Sequence, residues 1–353
     1  MSEPARARRS VAVAAGLLLL TMAAVLVVST RHGLTSVGRA SSAPAEPASA
    51  LRALVPFKVF YRDLLRTHPE LVRTLRFTYV ANGGRHRAAF LVLPRWYDRH
   101  RHPPIPLVIA PHGRGISARD NLRFWGALPA FGPFALVDPV GQGRRLTRYS
   151  WGWRGQIDDL ARMPRLVEQA VPGLRIDLSR IYAIGSSMGG QETLLLVARH
   201  PQLLAGAAAL DSDTDMAVRY YAFPALRDGA RLQALARQEI GGTPTSAPRA
   251  YELRSPVYWA RAIAKSGVPL HIWWSTQDRI VRDQVAESGR LFRLIRAFRP
   301  RAPVSQYVGT WAHSHEFRAS ARLPLALLEL GLIRLRERIP RPDQITREPG
   351  HPG

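Results

Sequence analysis

The sequence contains no cysteine, which excludes disulfide bonds, a thiolate nucleophile and any metal site with cysteine ligands. Lysine is almost absent as well, since Lys58 and Lys265 are the only two. The formal net charge of +24 therefore comes almost entirely from arginine. These arginines are scattered along the chain and are not interleaved with aromatic residues as in a nucleic-acid-binding motif. We expect a solvated basic surface and no nucleic-acid partner; attraction to anionic lipid or a cell-envelope polymer is the alternative use of that charge.

One long uncharged segment covers residues 10–30 and follows a stretch that contains three arginines. Its length matches the roughly 20 residues that a helix needs to cross a bilayer, and the preceding arginines favour an amino terminus on the inside. Residues 1–30 are therefore predicted to be a membrane anchor or a signal segment, with the rest of the chain outside the cytoplasm. A small-residue A-x-A pattern at 48–50 lies far beyond the apolar run, which favours an uncleaved anchor over a signal whose removal would give a secreted protein.

Composition divides the remainder of the chain. Residues 31–52 are rich in alanine, serine and proline and are predicted to be a disordered linker. Residues 53–338 are predicted to form the folded domain. Residues 339–353, rich in proline and charge, are predicted to be a disordered tail.

The domain begins with a predicted hairpin, in which two strand-like runs meet at Asn82-Gly83-Gly84. Short apolar runs that end in turn or polar residues follow, separated mostly by segments of helical periodicity. These runs are PLVIAPHG (106–113), FALVDPVG (134–141), RIYAIGSS (180–187), LAGAAALD (204–211), PLHIWWSTQD (269–278) and SQYVGTW (305–311). The alternation predicts a mostly parallel central sheet with helices on both faces, and functional residues at the carboxyl ends of its strands.

The segment GSSMG at 185–189 fits G-x-S-x-G between a predicted strand and a predicted helix. Small residues on both sides of the serine allow a tight turn that lifts its hydroxyl out of the sheet. The spacing predicts Ser187 as a nucleophile and leaves Ser186 as a filler.

A serine nucleophile needs a base, and the base needs a carboxylate to orient it. Asp278 ends the seventh predicted strand and His313 follows the eighth, so the order is Ser187, Asp278, His313, which is the order of the α/β-hydrolase arrangement. His315 is the alternative base, and we prefer His313 because it follows the strand more closely. The alternative acids follow the sixth strand and are Asp211, Asp213 and Asp215.

The oxyanion site is predicted to use the backbone N–H of Met188 and a second N–H from the loop PHGRG, at Gly113 or Arg114. His112 in that loop is then predicted to be structural. The acidic segment DSDTDM does not fit an EF-hand loop, because Met216 and Ala222 occupy the sixth and twelfth positions. We predict a helix cap there and no metal.

The sequence resembles the serine esterases and prolyl-oligopeptidase-like enzymes of the α/β-hydrolase superfamily over residues 75–335. The stretches that carry the resemblance are PHGRG, GSSMGGQETLLLVARHP, SPVYWARAIAKSGVPLHIWWSTQDRIV and HSHEF. The resemblance implies the α/β-hydrolase fold, a Ser187, Asp278, His313 triad and no cofactor.

Two segments are predicted to shape the substrate site: a short cap within 216–265, between strands six and seven, and the loop after strand four. Trp151, Trp153 and His315 are predicted to contact the substrate, a small-molecule ester or acyl compound. The tryptophans and nearby arginines would suit an acidic group on that substrate; the alternative is that the tryptophans belong to the core, as is more common near a sheet edge. The favoured function is an extracytoplasmic serine hydrolase, most simply a carboxylesterase. A peptidase, an acyltransferase and an inactive membrane-tethered binding protein are the alternatives, and the oligomeric state stays open.

Overall fold

The computed structural model describes residues 71–98, 103–130, 132–314, 322–333 and 346–348. The predicted membrane or signal segment and the predicted linker lie outside these residues. Within the described ranges, no helix is both long enough and apolar enough to cross a membrane.

The described strands form one sheet in the order β1-β2-β4-β3-β5-β6-β7-β8-β9. The strands are β1 (Val72–Val80), β2 (His86–Pro94), β3 (Ile105–Ile109), β4 (Ala135–Pro139), β5 (Ile176–Ser186), β6 (Gly206–Leu210), β7 (Leu270–Ser275), β8 (Val304–Gly309) and β9 (Thr346–Glu348). Strands β3 to β8 run parallel, and β1, β2 and β9 pair antiparallel with their neighbours. The first eight strands confirm the predicted hairpin and the six predicted runs.

The burial of the strands explains their sequence patterns. Every residue of β3, β4, β6 and β7 is buried, as expected for parallel strands covered on both faces, and these strands read as continuous apolar runs. The edge strand β1 instead mixes exposed and half-buried positions. The turn from β1 to β2 contains Gly83 and Gly84, with φ of +90° and +81°, values that glycine adopts without strain.

Helices cover both faces of the sheet, as predicted. Those in the described residues are α1 (Ala118–Trp125), α2 (Arg154–Ala170), α3 (Met188–Arg199), α4 (Met216–Ala222), α5 (Gly229–Ile240), α6 (Pro248–Glu252), α7 (Ala260–Lys265), α8 (Arg290–Phe298) and α9 (Arg322–Glu329). Leu107 and Ile109 of β3 lie in a core with α2, α3, α7 and α8, whereas Val108 between them lies in a core with α1 and α9. Because successive side chains of β3 point to opposite faces of the sheet, this strand contributes residues to both cores.

The predicted cap consists of α4 to α6, between β6 and β7, and it is tied to the loop after β4. Glu239 near the end of α5 accepts backbone hydrogen bonds from Arg144, Arg145 and Leu146 at 2.5, 2.8 and 2.9 Å. Arg254 lies 3.7 Å from the same carboxylate and also donates to the carbonyl of Ser150 at 2.8 Å. One buried carboxylate therefore fastens the cap to the loop that faces it.

Strand β9 departs from the sequence-based expectation. Residues 346–348 pair antiparallel with β8, with Arg347 opposite Tyr307. The prediction of disorder for the tail 339–353 therefore does not hold for these three residues; the others lie outside the described part of the chain. Pairing supplies hydrogen-bond partners to the outer edge of β8, which the sequence pattern alone left open.

Candidate active site

Ser187 lies in a strained turn between β5 and α3. Its φ is +58° and its ψ is −127°, a backbone conformation that a residue with a side chain rarely adopts. Two backbone hydrogen bonds hold it: its N–H donates to Leu210 at 2.8 Å, and its carbonyl accepts from Gln191 at 3.0 Å. The Ser187 side chain is partly exposed, while Met188 beside it is buried. The predicted elbow is therefore present, with its serine at the carboxyl end of a parallel strand.

Three glycines make this turn possible because other atoms occupy the space of their missing side chains. A Cβ on Gly185 would overlap the carbonyl of Gly189, and a Cβ on Gly190 would overlap the hydroxyl of Ser212. A Cβ on Gly189 would overlap the carbonyl oxygen of Pro111, in the loop after β3. The first turn of α3 thus packs directly against the predicted oxyanion loop.

Asp278 and His313 form a hydrogen-bonded pair at the ends of β7 and β8. His313 Nδ1 lies 2.7 Å from Asp278 Oδ2, and the imidazole keeps 13% of its surface exposed. The backbone amides of Ile280 and Val281 donate to Asp278 Oδ1 at 2.8 and 2.9 Å. Because the carboxylate accepts, Nδ1 carries the proton and Nε2 is left free to accept one.

The structure brings the serine and the histidine together through their chain neighbours. Ser186 and Ser314, which adjoin Ser187 and His313, are joined by a hydrogen bond between their hydroxyls. Among the described residues, the Ser187 hydroxyl itself makes no hydrogen bond to His313. Such contacts are often long in unliganded enzymes and tighten when substrate binds.

Asp211, one of the alternative acids, organises the loop that bears the histidine. Its Oδ2 accepts from Trp311 Nε1 at 2.8 Å and from the amide of Ser314 at 2.9 Å, and its Oδ1 accepts from the amide of Ser275 at 3.1 Å. Burial is the main cause that raises the pKa of Asp211 to about 7; His313 opposes the shift and the charge of Asp278 adds to it. The imidazole is oriented by Asp278, so Asp211 supports the pair from behind.

The side-chain ligand atoms of Asp211, Asp278 and His313 lie within 4.8 Å of one another, close enough to invite a metal. The carboxylate oxygens of Asp211 and Asp278 already accept hydrogen bonds from backbone N–H groups, and the Nδ1 proton of His313 is donated to Asp278. This donor set fits an acid–imidazole pair better than a cation.

The other two alternative acids serve elsewhere. Asp213 pairs with the buried Arg219 at 2.5 Å. Asp215 caps α4 by accepting from the amides of Ala217 and Val218, and it pairs with Arg290 at 3.0 Å. The predicted helix cap in the acidic segment is thus confirmed.

The loop after β3 is positioned for the predicted oxyanion site. Met188 is the first residue of α3, where backbone N–H groups have no partner within the helix. Gly113 and Arg114 lie in the loop that packs on that turn. His112 donates from Nδ1 to the carbonyl of Gly113 at 2.8 Å, and its Nε2 accepts from the amide of Gly141 at 3.1 Å. Both ring nitrogens are therefore used to shape the loop, and burial lowers the pKa of His112.

Two of the three predicted substrate contacts, Trp151 and Trp153, lie within the described residues. Trp151 is fully buried, its amide lies 3.4 Å from Met188 Sδ, and its ring packs 5.4 Å from Tyr149. Its side chain lies in a hydrophobic cluster with Met188 and Phe223. The ring of Trp153 packs over Gly155 and beside the hairpin turn, and its contact with substrate stays a prediction. His315 lies outside the described residues.

Sequence reasoning missed a cluster of charged groups beside Met188. The guanidinium carbons of Arg114 and Arg219 lie 5.4 and 5.2 Å from the ring centre of Phe223. Phe223 shares a hydrophobic cluster with Met188 and Trp151. Arginine in a basic chain is usually exposed, and no pattern in the sequence marks Arg219 as a buried one.

No protein-family model matches the chain. A protein of Nocardia uniformis subsp. tsuyamanensis, NocK, whose assignment as an esterase is itself provisional, is 30% identical over 207 residues, which are 52% of this chain and 57% of that protein. Poly(3-hydroxyalkanoate) depolymerase C of Paucimonas lemoignei is 31% identical over 113 residues, 30% of this chain and 27% of the depolymerase. The chain thus spans just over half of the first relative and about a quarter of the second.

Solved structures show the same fold at low identity. Acylaminoacyl peptidase of Pyrococcus horikoshii matches with a TM-score of 0.57 and 14% identity, over 79% of this chain and 44% of the peptidase. A ferulic acid esterase matches with a TM-score of 0.51 and 16% identity, over 74% of this chain and 98% of the esterase. The chain has the α/β-hydrolase fold, and its structural neighbours are serine hydrolases.

Proposed function

We propose that this chain is an extracytoplasmic serine hydrolase, most simply a carboxylesterase acting on small-molecule esters. The observation that carries the proposal is the 2.7 Å hydrogen bond between Asp278 and His313, beside a serine held at φ +58°. A fold alone supports many functions, whereas this constellation supplies a nucleophile, a base and an orienting carboxylate at one edge of the sheet. The names of the relatives, an esterase and a depolymerase, agree with it.

In the first half of the reaction, His313 Nε2 takes the proton of the Ser187 hydroxyl as Oγ attacks the ester carbonyl. The backbone N–H groups of Met188 and of Gly113 or Arg114 stabilise the negative oxygen that forms. The tetrahedral intermediate then collapses: the bond to the leaving alkoxide breaks, and the alkoxide takes the proton from Nε2.

In the second half, water attacks the acyl-Ser187 ester while Nε2 takes one of its protons. Collapse of this second intermediate releases the carboxylic acid and returns the proton to Ser187 Oγ. Asp278 stays ionised throughout and stabilises the imidazolium that forms twice in each cycle.

The test is labelling of the full-length protein with a fluorophosphonate probe, together with hydrolysis of p-nitrophenyl esters and aminoacyl p-nitroanilides. Labelling and ester hydrolysis are both expected, and both should disappear in Ser187→Ala. Ser179→Ala is the matched control, because Ser179 is an exposed serine on the same strand whose hydroxyl bonds to Asp177. A folded wild-type protein that neither labels nor hydrolyses any ester would overturn the proposal, and faster p-nitroanilide hydrolysis would turn it toward a peptidase.

The location outside the cytoplasm rests on the apolar segment 10–30 and the arginines before it. Protease added to intact cells should degrade the domain and leave a cytoplasmic marker whole. Protection of the domain until the cells are lysed would contradict this part of the proposal.

A further inference from the structure

Arg114 follows Gly113 in the loop that packs on the elbow, and its charge has no hydrogen-bond partner among the described residues. Its Nη1 is shielded from solvent and makes no hydrogen bond. The guanidinium lies 5.4 Å from the ring centre of Phe223, which supplies attraction to the ring face but accepts no strong hydrogen bond. A half-buried cationic group without a hydrogen-bonded acceptor is costly, so an anion that reaches Arg114 would stabilise it.

Two further donors around the same ring are in the same condition. Arg219 is 1% exposed, and its guanidinium carbon lies 5.2 Å from the ring centre of Phe223. Its Nη1 is buried and has no hydrogen-bond partner among the described residues. The Trp151 ring centre is 6.1 Å from that of Phe223, and its Nε1 is also buried and unpaired. All three atoms carry hydrogens, so an acceptor is what they lack.

The charges of the neighbouring groups leave one positive charge in excess. Asp213 pairs with Arg219 at 2.5 Å and thereby neutralises it. Glu287 faces the same cluster and accepts from Thr214 and from the amide of Asp215 at 2.7 Å. Burial raises the pKa of Glu287 to about 8, so this group is largely uncharged at neutral pH. The charge of Asp213 also raises the pKa of Arg114, while burial and Arg219 lower it. Arg114 and Arg219 therefore share one ionised carboxylate, and one positive charge is in excess.

The cluster lies beside the nucleophile. Phe223 and Trp151 share a hydrophobic cluster with Met188, the residue after Ser187. The loop residue Gly113, whose amide is a candidate oxyanion donor, directly precedes Arg114. A substrate whose carbonyl oxygen lies at that loop would therefore be bound one residue away from Arg114, whose guanidinium lies over Phe223.

We propose that Arg114, supported by Arg219 and Trp151, binds a carboxylate at the far end of the substrate's acyl group. The inference rests on the proposed function and names its substrate class: half-esters of dicarboxylic acids and related acyl groups that end in an anion. A guanidinium can donate two parallel hydrogen bonds to one carboxylate, and Arg114 is half-buried. Arg219 and Trp151 are buried, so Arg219 adds positive charge and Trp151 adds packing.

The test compares esters of equal acyl length that differ only in the terminal charge. The p-nitrophenyl half-esters of glutarate and adipate are set against p-nitrophenyl pentanoate and hexanoate, with spontaneous hydrolysis subtracted. Wild type should favour the anionic ester, and in Arg114→Gln the ratio of anionic to neutral kcat/KM should fall about tenfold to hundredfold. The ratio is used because a loss shared by both esters, such as a disturbed oxyanion loop, cancels from it.

Arg123→Gln is the matched control, because Arg123 is an exposed arginine on α1, and its ratio should equal that of wild type. Arg114→Lys keeps the charge without the fork and should lie between wild type and Arg114→Gln; a thermal unfolding curve for each variant checks its folding. An unchanged ratio in Arg114→Gln, or equal losses for both esters, would overturn the inference while leaving the hydrolase standing.

Binding of glutarate to Ser187→Ala, measured by calorimetry, separates this inference from the proposed function. Binding that is lost in the Ser187→Ala, Arg114→Gln double variant supports the subsite even if wild type hydrolyses no ester. Absence of glutarate binding, or binding that survives in the double variant, would overturn it.

Discussion

Asp211 accepts a hydrogen bond from the backbone amide of Ser314 at 2.9 Å, and so it holds the residue that follows the candidate base. The same carboxylate bonds the amide of Ser275 at the end of β7 and the indole of Trp311 after β8. Three segments at the carboxyl edge of the sheet thus converge on one buried side chain. Asp278 orients the imidazole directly, and Asp211 fixes the backbone on which that imidazole is carried.

Replacing Asp211 with asparagine tests this positioning role. An asparagine has one acceptor oxygen where the aspartate has two, so part of the network must break and the His313 loop should lose its fixed position. We expect kcat for ester hydrolysis to fall about tenfold, with KM nearly unchanged, because one or two hydrogen bonds that fix the His313 loop are lost. A rise in KM with kcat unchanged would instead place Asp211 in substrate binding.

The choice of base is tested by separate replacement of the two nearby histidines. His313→Ala should lower kcat by about 100-fold to 10,000-fold, the usual contribution of a general base, because His313 is hydrogen-bonded to Asp278. His315→Ala should retain most of the activity. The comparison requires kcat for both variants and a fluorophosphonate labelling rate for each. The reverse pattern would move the base to His315.

The packing of the elbow predicts a large difference in thermal stability between two glycine replacements. Gly189→Ala should lower the midpoint of thermal unfolding or prevent folding, since its Cβ would overlap the carbonyl of Pro111. In Gly113→Ala the new Cβ would meet its nearest neighbours at 3.6 and 3.8 Å, which is ordinary contact, so the midpoint should be close to that of wild type. Equal midpoints would mean that the loop after β3 can move away from α3.

Buried carboxyls predict that the protein loses stability as the pH rises. Burial raises the pKa of Glu192 from 4.5 to about 7, so the folded state binds more protons than the unfolded state between these values. The contribution of Glu192 to the free energy of unfolding should therefore be largest below pH 4.5. It should be lost as the pH rises through 7. Asp211 and Glu287 act in the same direction.

Denaturant unfolding of wild type and Glu192→Gln across this pH range measures the effect. The slope of unfolding free energy against pH should be shallower in Glu192→Gln, because glutamine does not titrate. Asp228→Asn, at an exposed aspartate that makes no cap hydrogen bond to α5, should keep the wild-type slope. A wild-type slope in Glu192→Gln would mean that this carboxyl titrates at its ordinary pKa.

The features that sequence predicts well here are those set by local patterns. Apolar runs gave eight strands, and the spacing of Gly185, Ser187 and Gly189 gave the elbow, because both depend on residues close together in the chain. The contact of Trp153 with the hairpin turn was not predicted, because the direction of a loop side chain is decided by the surface that it meets. The roles of Asp211 and Arg219 arise from partners brought together only by the folded sheet and cap.

Glu239 has a further consequence for how substrate enters the cleft. It bonds three successive backbone amides of the loop after β4 while Arg254 faces it, so the cap cannot swing away without stripping a buried carboxylate of these partners. A cleft of fixed width does not need an oil–water boundary to open it. Turnover of a long-chain ester should therefore rise smoothly with its concentration, with no jump where micelles form, and the absence of interfacial activation would separate this protein from lipases whose lids must be lifted.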